Sequence, residues 1–268
     1  MLPVLFRIPD FIPLLGGKAL HTYGLMVALG FFFGLMFVKR ETKRVGLNEN
    51  QMLDLFFYLA IAGLVGSRVL YIINSTDNFW SDPLVFFRVW EGGLVFQGGV
   101  IASLFVSIYY MKKHRLPFYK CADVYSPALS LGHALGRLGC FFAGCCYGEQ
   151  CDINNPLAIV FPLNSDTIAP PGIPLYPTQL MESFGEFAIF GFLLFYRRRK
   201  PFDGAVFLMY LMTYSVLRSV VEVFRGDKIR GFVIEPYLSN GQFISLIAIV
   251  GSLFLWTYLK KKNGTVKK

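Results

Sequence analysis

The sequence predicts an all-α polytopic membrane protein. It reads as about seven transmembrane helices, with the N-terminus outside, the C-terminus cytoplasmic and a small periplasmic head. Three observations lead there. The chain of 268 residues is 54% hydrophobic and only 16% charged, against about 25% charged in ordinary globular domains. Apolar runs of roughly twenty residues, the length that crosses a ~30 Å hydrocarbon core, recur along it. Most of its positive charge sits in short tracts beside those runs.

Taken in order, the apolar runs place helices at 22–38, 52–73, 94–111, 121–143, 179–196, 204–223 and 241–259. Of the 26 Lys and Arg, 17 lie in "KRETKR" (39–44), "KKHRLPFYK" (112–120), "RRRK" (197–200) and "KKKNGTVKK" (260–268). Counted along seven helices these tracts fall on one side, which the positive-inside rule makes cytoplasmic. The net charge of +9 is therefore topological and suits anionic headgroups. It does not indicate nucleic acid, because no basic and aromatic residues interleave on a soluble face. The opposite side receives 1–21, 74–93, 144–178 and 224–240, rich in Asn, Asp, Pro and Gly as loops are. Segment 1–21 does not read as a signal peptide, since Pro, Asp and Lys interrupt its apolar part. The longest outer segment, 144–178, is expected to form the head. Residues 1–268 read as a single integral membrane domain without internal repeats.

Arginine is costly inside such helices, about 2.5–3.5 kcal/mol near the bilayer centre. Yet Arg68 ("LVGSRVLY"), Arg137 ("HALGRLG") and Arg218 ("YSVLRSVVEVFR") all lie within apolar runs. Snorkelling to an interface suits Arg225 at a helix end and suits Arg137 and Arg218 least. Three buried guanidinium groups among few acids point to a shared anionic ligand. Arginine's planar fork matches phosphate, and the abundant anion at such depth is a phospholipid headgroup. Glu222, four residues after Arg218, shares its helix face; it either orients or neutralises the guanidinium, or acts as a base.

The stretch "GRLGCFFAGCCYGEQC" (136–151) carries four of the five cysteines, at 140, 145, 146 and 151. Structural zinc sites favour C-x₂₋₄-C pairs separated by a longer insert. This spacing lacks that pattern, and adjacent cysteines ligate one tetrahedral ion with difficulty, so no metal is expected. Disulfides such as Cys140–Cys145 or Cys146–Cys151, and packing of reduced thiols, stay open as alternatives.

The ordered motifs "HTYGLMVALGFFFG" (21–34), "DPLVFFRVWEGGLVFQGGVIA" (82–102), "GRLGCFFAGCCYG" (136–148), "YPTQLMES" (176–183) and "LRSVVEVFRG" (217–226) together resemble the bacterial prolipoprotein diacylglyceryl transferases over essentially the whole chain. The resemblance implies a multi-pass protein of the bacterial inner membrane that needs no cofactor. It would move diacylglyceryl from phosphatidylglycerol to the lipobox cysteine of a prolipoprotein signal peptide and release glycerol phosphate. It assigns phosphatidylglycerol binding to Arg137, with Arg218, Arg68, Gln97, Gly98, Gly99, Gly139 and Gly148 beside it. It assigns Arg218 and Glu222 to the catalytic group, and Arg137, whose charge faces the leaving oxygens, and Tyr23, which matches a family tyrosine, are catalytic candidates with them.

Two departures stand out. Where the family usually has a histidine before the paired glycines, a proposed thiol base, this chain has Gln97, which cannot accept a proton at working pH. In the signature segment the family's Asn, Asn and Glu become Cys140, Ala143 and Cys145, while Gly136, Gly139, Gly144 and Gly148 remain. His133, one helical turn before Arg137, and His21 are the replacement bases expected; activation by Glu222 or by no dedicated base is the alternative. Two other readings follow from the same residues. One is a related lipid transferase with a different nucleophilic acceptor, and the other is a non-catalytic phospholipid-binding or scrambling protein.

Overall fold

The computed structural model describes residues 3–7, 17, 19–74, 86–87, 93–163, 167–225, 231–235 and 237–265. Of the expected outer segments, 75–85, 88–92, 164–166, 226–230, 236 and parts of 1–21 lie outside the described residues, as does 266–268 of the basic tail. Among the described residues there are seven long helices: α1 (Thr22–Val45), α2 (Glu49–Asn74), α3 (Phe96–Lys113), α4 (Phe118–Ala143), α5 (Thr178–Tyr196), α6 (Ala205–Val223) and α7 (Asn240–Thr265). Each predicted helix is present. Four of them, α1, α2, α6 and α7, are long and apolar enough to cross a membrane, and the chain is a membrane protein of mostly helical fold.

α1 continues through "KRETKR" past its expected end at 38, because Lys, Arg and Glu propagate a helix well and Arg44 pairs with Glu41 three residues earlier. It stops at Gly46, whose φ of 70° only glycine adopts without strain. The Gly46 and Leu47 amides then donate to the carbonyls of Lys43 and Thr42, satisfying the helix end.

The chain divides into two compact units, Met1–Met36 with Ala122–Lys268, and Phe37–Cys121. In the second unit, α2 packs along α3 through small residues. A Cβ placed on Gly99 would lie 2.5 Å from Ser67 Oγ and 2.7 Å from Gly63 O, and Gly66 and Gly98 face each other still more closely. Such glycines allow close backbone approach between apolar helices, which have little else to drive association in lipid. Ser103 Oγ donates to Leu59 O across the same seam.

The first unit holds the rest. Gly139 of α4 lies against α1, where a Cβ would sit 3.1 Å from Tyr23 Cδ2 and 3.3 Å from Tyr23 O. α5 and α6 bury Ile189, Leu193, Val206 and Tyr210 against one another. Asp123 fastens the start of α6, accepting from the Gly204 and Phe207 amides and from Lys200 Nζ. α7 begins with a capping box: the Gln242 amide donates to Ser239 Oγ, and the Ser239 amide donates to Gln242 Oε1, so two otherwise orphaned donors are satisfied. Between α4 and α5 the head segment is structured. β3 (Ile159–Val160) pairs antiparallel with β4 (Pro174–Leu175), over a small core of Phe161, Ala169 and Leu175. Two further hairpins, β1 (Val4–Arg7) with β2 (Ala19–His21) and β5 (Phe232–Ile234) with β6 (Leu238–Ser239), precede α1 and α7.

Candidate active site

The polar centre of the first unit is built on the facing sides of α4 and α5. α5 buries Thr178, Gln179, Glu182, Ser183 and Glu186, one stripe at helical spacing. In an otherwise apolar helix this stripe is the sequence signal for an inward polar face, and it was legible without a structure. Its two carboxylates are the functional residues that sequence reasoning missed.

From α4, Ser130, His133 and Arg137 meet that stripe. Glu186, fully buried, accepts from Ser130 Oγ at 2.6 Å and from His133 Nδ1 at 2.7 Å. With its proton assigned to Nδ1 by this carboxylate, His133 is left with Nε2 as an acceptor for Arg137 Nε at 3.2 Å. Arg137 Nη2 lies 3.1 Å from Glu182 Oε1. A guanidinium that would be expensive to bury alone is thus held by one carboxylate and, through imidazole, by a second.

Arg218 and Glu222 pair one turn apart on α6, and Ser239 Oγ lies 3.4 Å from Glu222 Oε1. Tyr214, one turn before Arg218, sets its ring edge-on to His133 with centroids 5.3 Å apart, so it links the two arginine groups. Among the described residues, Arg218 Nη1 and Glu182 Oε2 are buried without a hydrogen-bond partner, and Glu182 Oε1 has its ion pair with Arg137 but no hydrogen bond. Buried donors in folded proteins are nearly always satisfied. Arg218 Nη1 is therefore a buried donor left open within an apolar helix.

Tyr23, at the start of α1, is half-exposed and sits in the notch left by Gly139. Gly148 serves a similar end, since a Cβ there would come within 2.5 Å of Phe224 O and 2.7 Å of Tyr176 Cβ. Its amide donates to Tyr176 O, which ties the cysteine loop to the ends of α5 and α6. His21 is exposed on β2, in register with Val4. In the other unit, Arg68 is buried and donates to the carbonyls of Phe86 and Gly93, with its guanidinium over the Tyr71 ring. Gly98 and Gly99 form the α2–α3 seam, and Gln97 is exposed in the first turn of α3.

The family model of the prolipoprotein diacylglyceryl transferases matches residues 9–258. The chain belongs to this family. It is 36% identical over 248 residues to the phosphatidylglycerol–prolipoprotein diacylglyceryl transferase 2 of Clostridium perfringens, covering 92% of this chain and 94% of that protein. It is 35% identical over 257 residues to the corresponding transferase of Clostridium tetani, with 96% and 97% covered. A similar protein of Geobacter sulfurreducens is 35% identical over 249 residues, with 91% and 89% covered.

In the segment after Arg137 the structure decides between the alternatives left open for the cysteines. All five cysteines are free, which is the reduced-thiol alternative of the two. The Sγ atoms of Cys140, Cys145 and Cys146 lie within 4.8 Å of one another. Gln179 Nε2 and Thr178 Oγ1 donate to the carbonyls of Cys145 and Cys146 and so fix the loop from α5. Cys146 is held far below the ordinary thiol range by hydrogen bonding with Cys140 and Cys145 and by the charges of Arg137 and Arg225. Cys145 is held correspondingly high by the same two thiol neighbours.

Proposed function

We propose that this chain transfers the diacylglyceryl group of phosphatidylglycerol to the cysteine thiol of a prolipoprotein, the first step of lipoprotein maturation. In this reading it crosses the bacterial inner membrane seven times, N-terminus outside. The head at 144–178 then stands over the site on the periplasmic side, where the signal peptide arrives, and the lipid enters from the bilayer. Arg137 and Arg218 bind the phosphate, and Tyr23 lines the same cavity. The thiol sulfur attacks the glyceryl carbon that bears the phosphate ester. A C–S bond forms, the C–O bond breaks, and the electron pair leaves on glycerol phosphate. Negative charge grows on the departing oxygens, where preorganised donors contribute most.

The observation that carries this reading is the pair of half-buried guanidinium groups within apolar helices, one anchored by His133 and Glu182 and the other with Nη1 unpartnered. His133 belongs to the positioning of Arg137, because its Nε2 lone pair is engaged there and its Nδ1 proton is committed to Glu186. Glu222 orients Arg218 in the same way. Gln97 supplies no base.

Purified protein, phosphatidylglycerol and a lipobox peptide test the proposal by mass spectrometry. A diacylglyceryl mass gain on the peptide, lost in Arg137→Ala, is expected. Intact peptide with lipid still bound would assign the chain to lipid binding without transfer.

A further inference from the structure

Three thiols converge beside Arg137 in a way that neither helix packing nor loop closure requires. Cys140 lies in the last turn of α4, three residues after Arg137 and so on the same side of the helix. Cys145 and Cys146 follow Gly144, whose φ of 70° turns the chain back on itself. The Cys145 amide donates to Cys140 O, which closes the helix end and returns Cys145 to the level of Cys140. Adjacent residues of an extended chain point to opposite sides, which argues against two neighbouring cysteines serving one ion. Cys146 has a φ of 61°, however, in the left-handed region that a residue with a Cβ enters only under strain. That conformation brings its sulfur to the same side as that of Cys145. Strain of this kind persists where surrounding contacts enforce it, and here Thr178 and Gln179 clamp the two carbonyls.

We propose that Cys140, Cys145 and Cys146 bind a Zn²⁺ ion whose fourth position takes the acceptor thiol. The inference rests on the transferase reading and deepens it, and it replaces the expectation of a metal-free site. A tetrahedral zinc with Zn–S bonds of about 2.3 Å holds its sulfurs about 3.8 Å apart, so the cluster closes on the ion by shifts within side-chain reach. Three sulfur ligands select a soft cation over Mg²⁺ or Ca²⁺. Three protein ligands and one open place are the arrangement of a catalytic zinc.

The chemistry answers a deficit that the chain otherwise leaves. Gln97 cannot take a proton, and His133 is engaged at both ring nitrogens. A thiol that coordinates zinc is deprotonated by the metal itself. The proton of the peptide thiol passes to solvent on coordination. The bound sulfur then attacks the glyceryl carbon, the C–O bond breaks, and its electron pair leaves on glycerol phosphate toward the arginines. The thioether is neutral, binds zinc weakly and departs. No oxidant or reductant is involved.

The test loads the full-length protein in detergent with Co²⁺ in place of zinc and follows the sulfur-to-cobalt charge-transfer absorption in the near ultraviolet. One ion per chain and an absorption of three thiolates are expected, falling by about a third in each of C140S, C145S and C146S and unchanged in C151S. A lipobox peptide should raise it by about a third again, and a peptide with serine for cysteine should not. Absence of thiolate absorption, or its persistence at full strength in all three serine variants, overturns the site. A mass 2 Da low that reverts with reductant, found in protein that takes no cobalt, assigns the cluster to a disulfide instead. Transfer that continues at full rate after chelation overturns the inference and leaves the transferase reading standing. Transfer abolished by chelation and restored by Zn²⁺ supports both. Cobalt and peptide binding as expected, with no transfer from phosphatidylglycerol, keeps the metal site and removes the transferase reading.

Discussion

The carboxylate of Glu186 gives the most direct access to how the site is held. It is fully buried and accepts two short hydrogen bonds, from Ser130 and His133. In Glu186→Gln the amide oxygen still accepts from His133 Nδ1, and the amide nitrogen donates to Ser130 Oγ, whose own hydrogen turns to Glu186's backbone carbonyl at 2.8 Å. Every polar atom keeps a partner, and only the charge is lost. Two charge-assisted bonds at about 1.5–3 kcal/mol each become neutral bonds at about 0.5–1.5, a loss of about 2–3 kcal/mol. Glu186→Ala instead strands His133 Nδ1 and opens a cavity, at about 3–5 kcal/mol. If the network's role is to hold Arg137, transfer at limiting phosphatidylglycerol falls about 10- to 100-fold in the glutamine variant. It falls further in the alanine variant, with thermal stability ranked in the same order. His133→Ala combined with Glu186→Ala then costs little more than either alone, since both act through one chain of contacts. Wild-type transfer and wild-type thermal stability in Glu186→Ala would refute the whole positioning argument.

Other consequences concern the frame. Asp123→Ala removes the acceptor for two α6 amides and for Lys200, so unfolding in detergent should shift down by an amount equivalent to about 2–4 kcal/mol, while Asp123→Asn recovers part of it. Burial opposes the charge on Lys200, but its hydrogen bonds to Asp123 and Asp203 outweigh burial and hold its ammonium above the usual lysine range. Its contribution is therefore complete below the ordinary lysine pKa of about 10.4 and is lost as pH rises through the raised value. The stability gap between wild type and Lys200→Met should be constant at neutral pH and close only in strong alkali. Gly99→Val places methyl groups against Ser67 and the Gly63 carbonyl and should lower the melting temperature sharply, whereas Gly251→Ala, with open space around it, should not.

Much of this protein was readable along the chain. Helices can be placed from composition alone because a run of apolar residues in lipid must satisfy its own backbone, and the helix is the local way to do so. The expensive arginines were equally visible, because a charge inside such a run demands a reason wherever its partner lies. Even Glu182 and Glu186 announce themselves by spacing, though only as a polar face, not as the partners of His133 and Arg137.

Partnership is what the tertiary structure decided. Arg68, Arg137 and Arg218 look alike in sequence, yet Arg68 is spent on the carbonyls of Phe86 and Gly93 while Arg218 keeps an unpartnered nitrogen. Gly98, Gly99, Gly139 and Gly148 share one residue type, but two seat α2 against α3, one admits Tyr23 and one locks the cysteine loop. The cysteines show the limit most clearly. Their spacing of four, none and four intervening residues argues against a common centre. A single left-handed φ at Cys146, enforced from α5, brings three sulfurs together all the same. Hydropathy is a property of each residue and survives in the linear order. The meeting of side chains depends on turns and contacts set by residues far away in sequence, and exists only once the chain has folded.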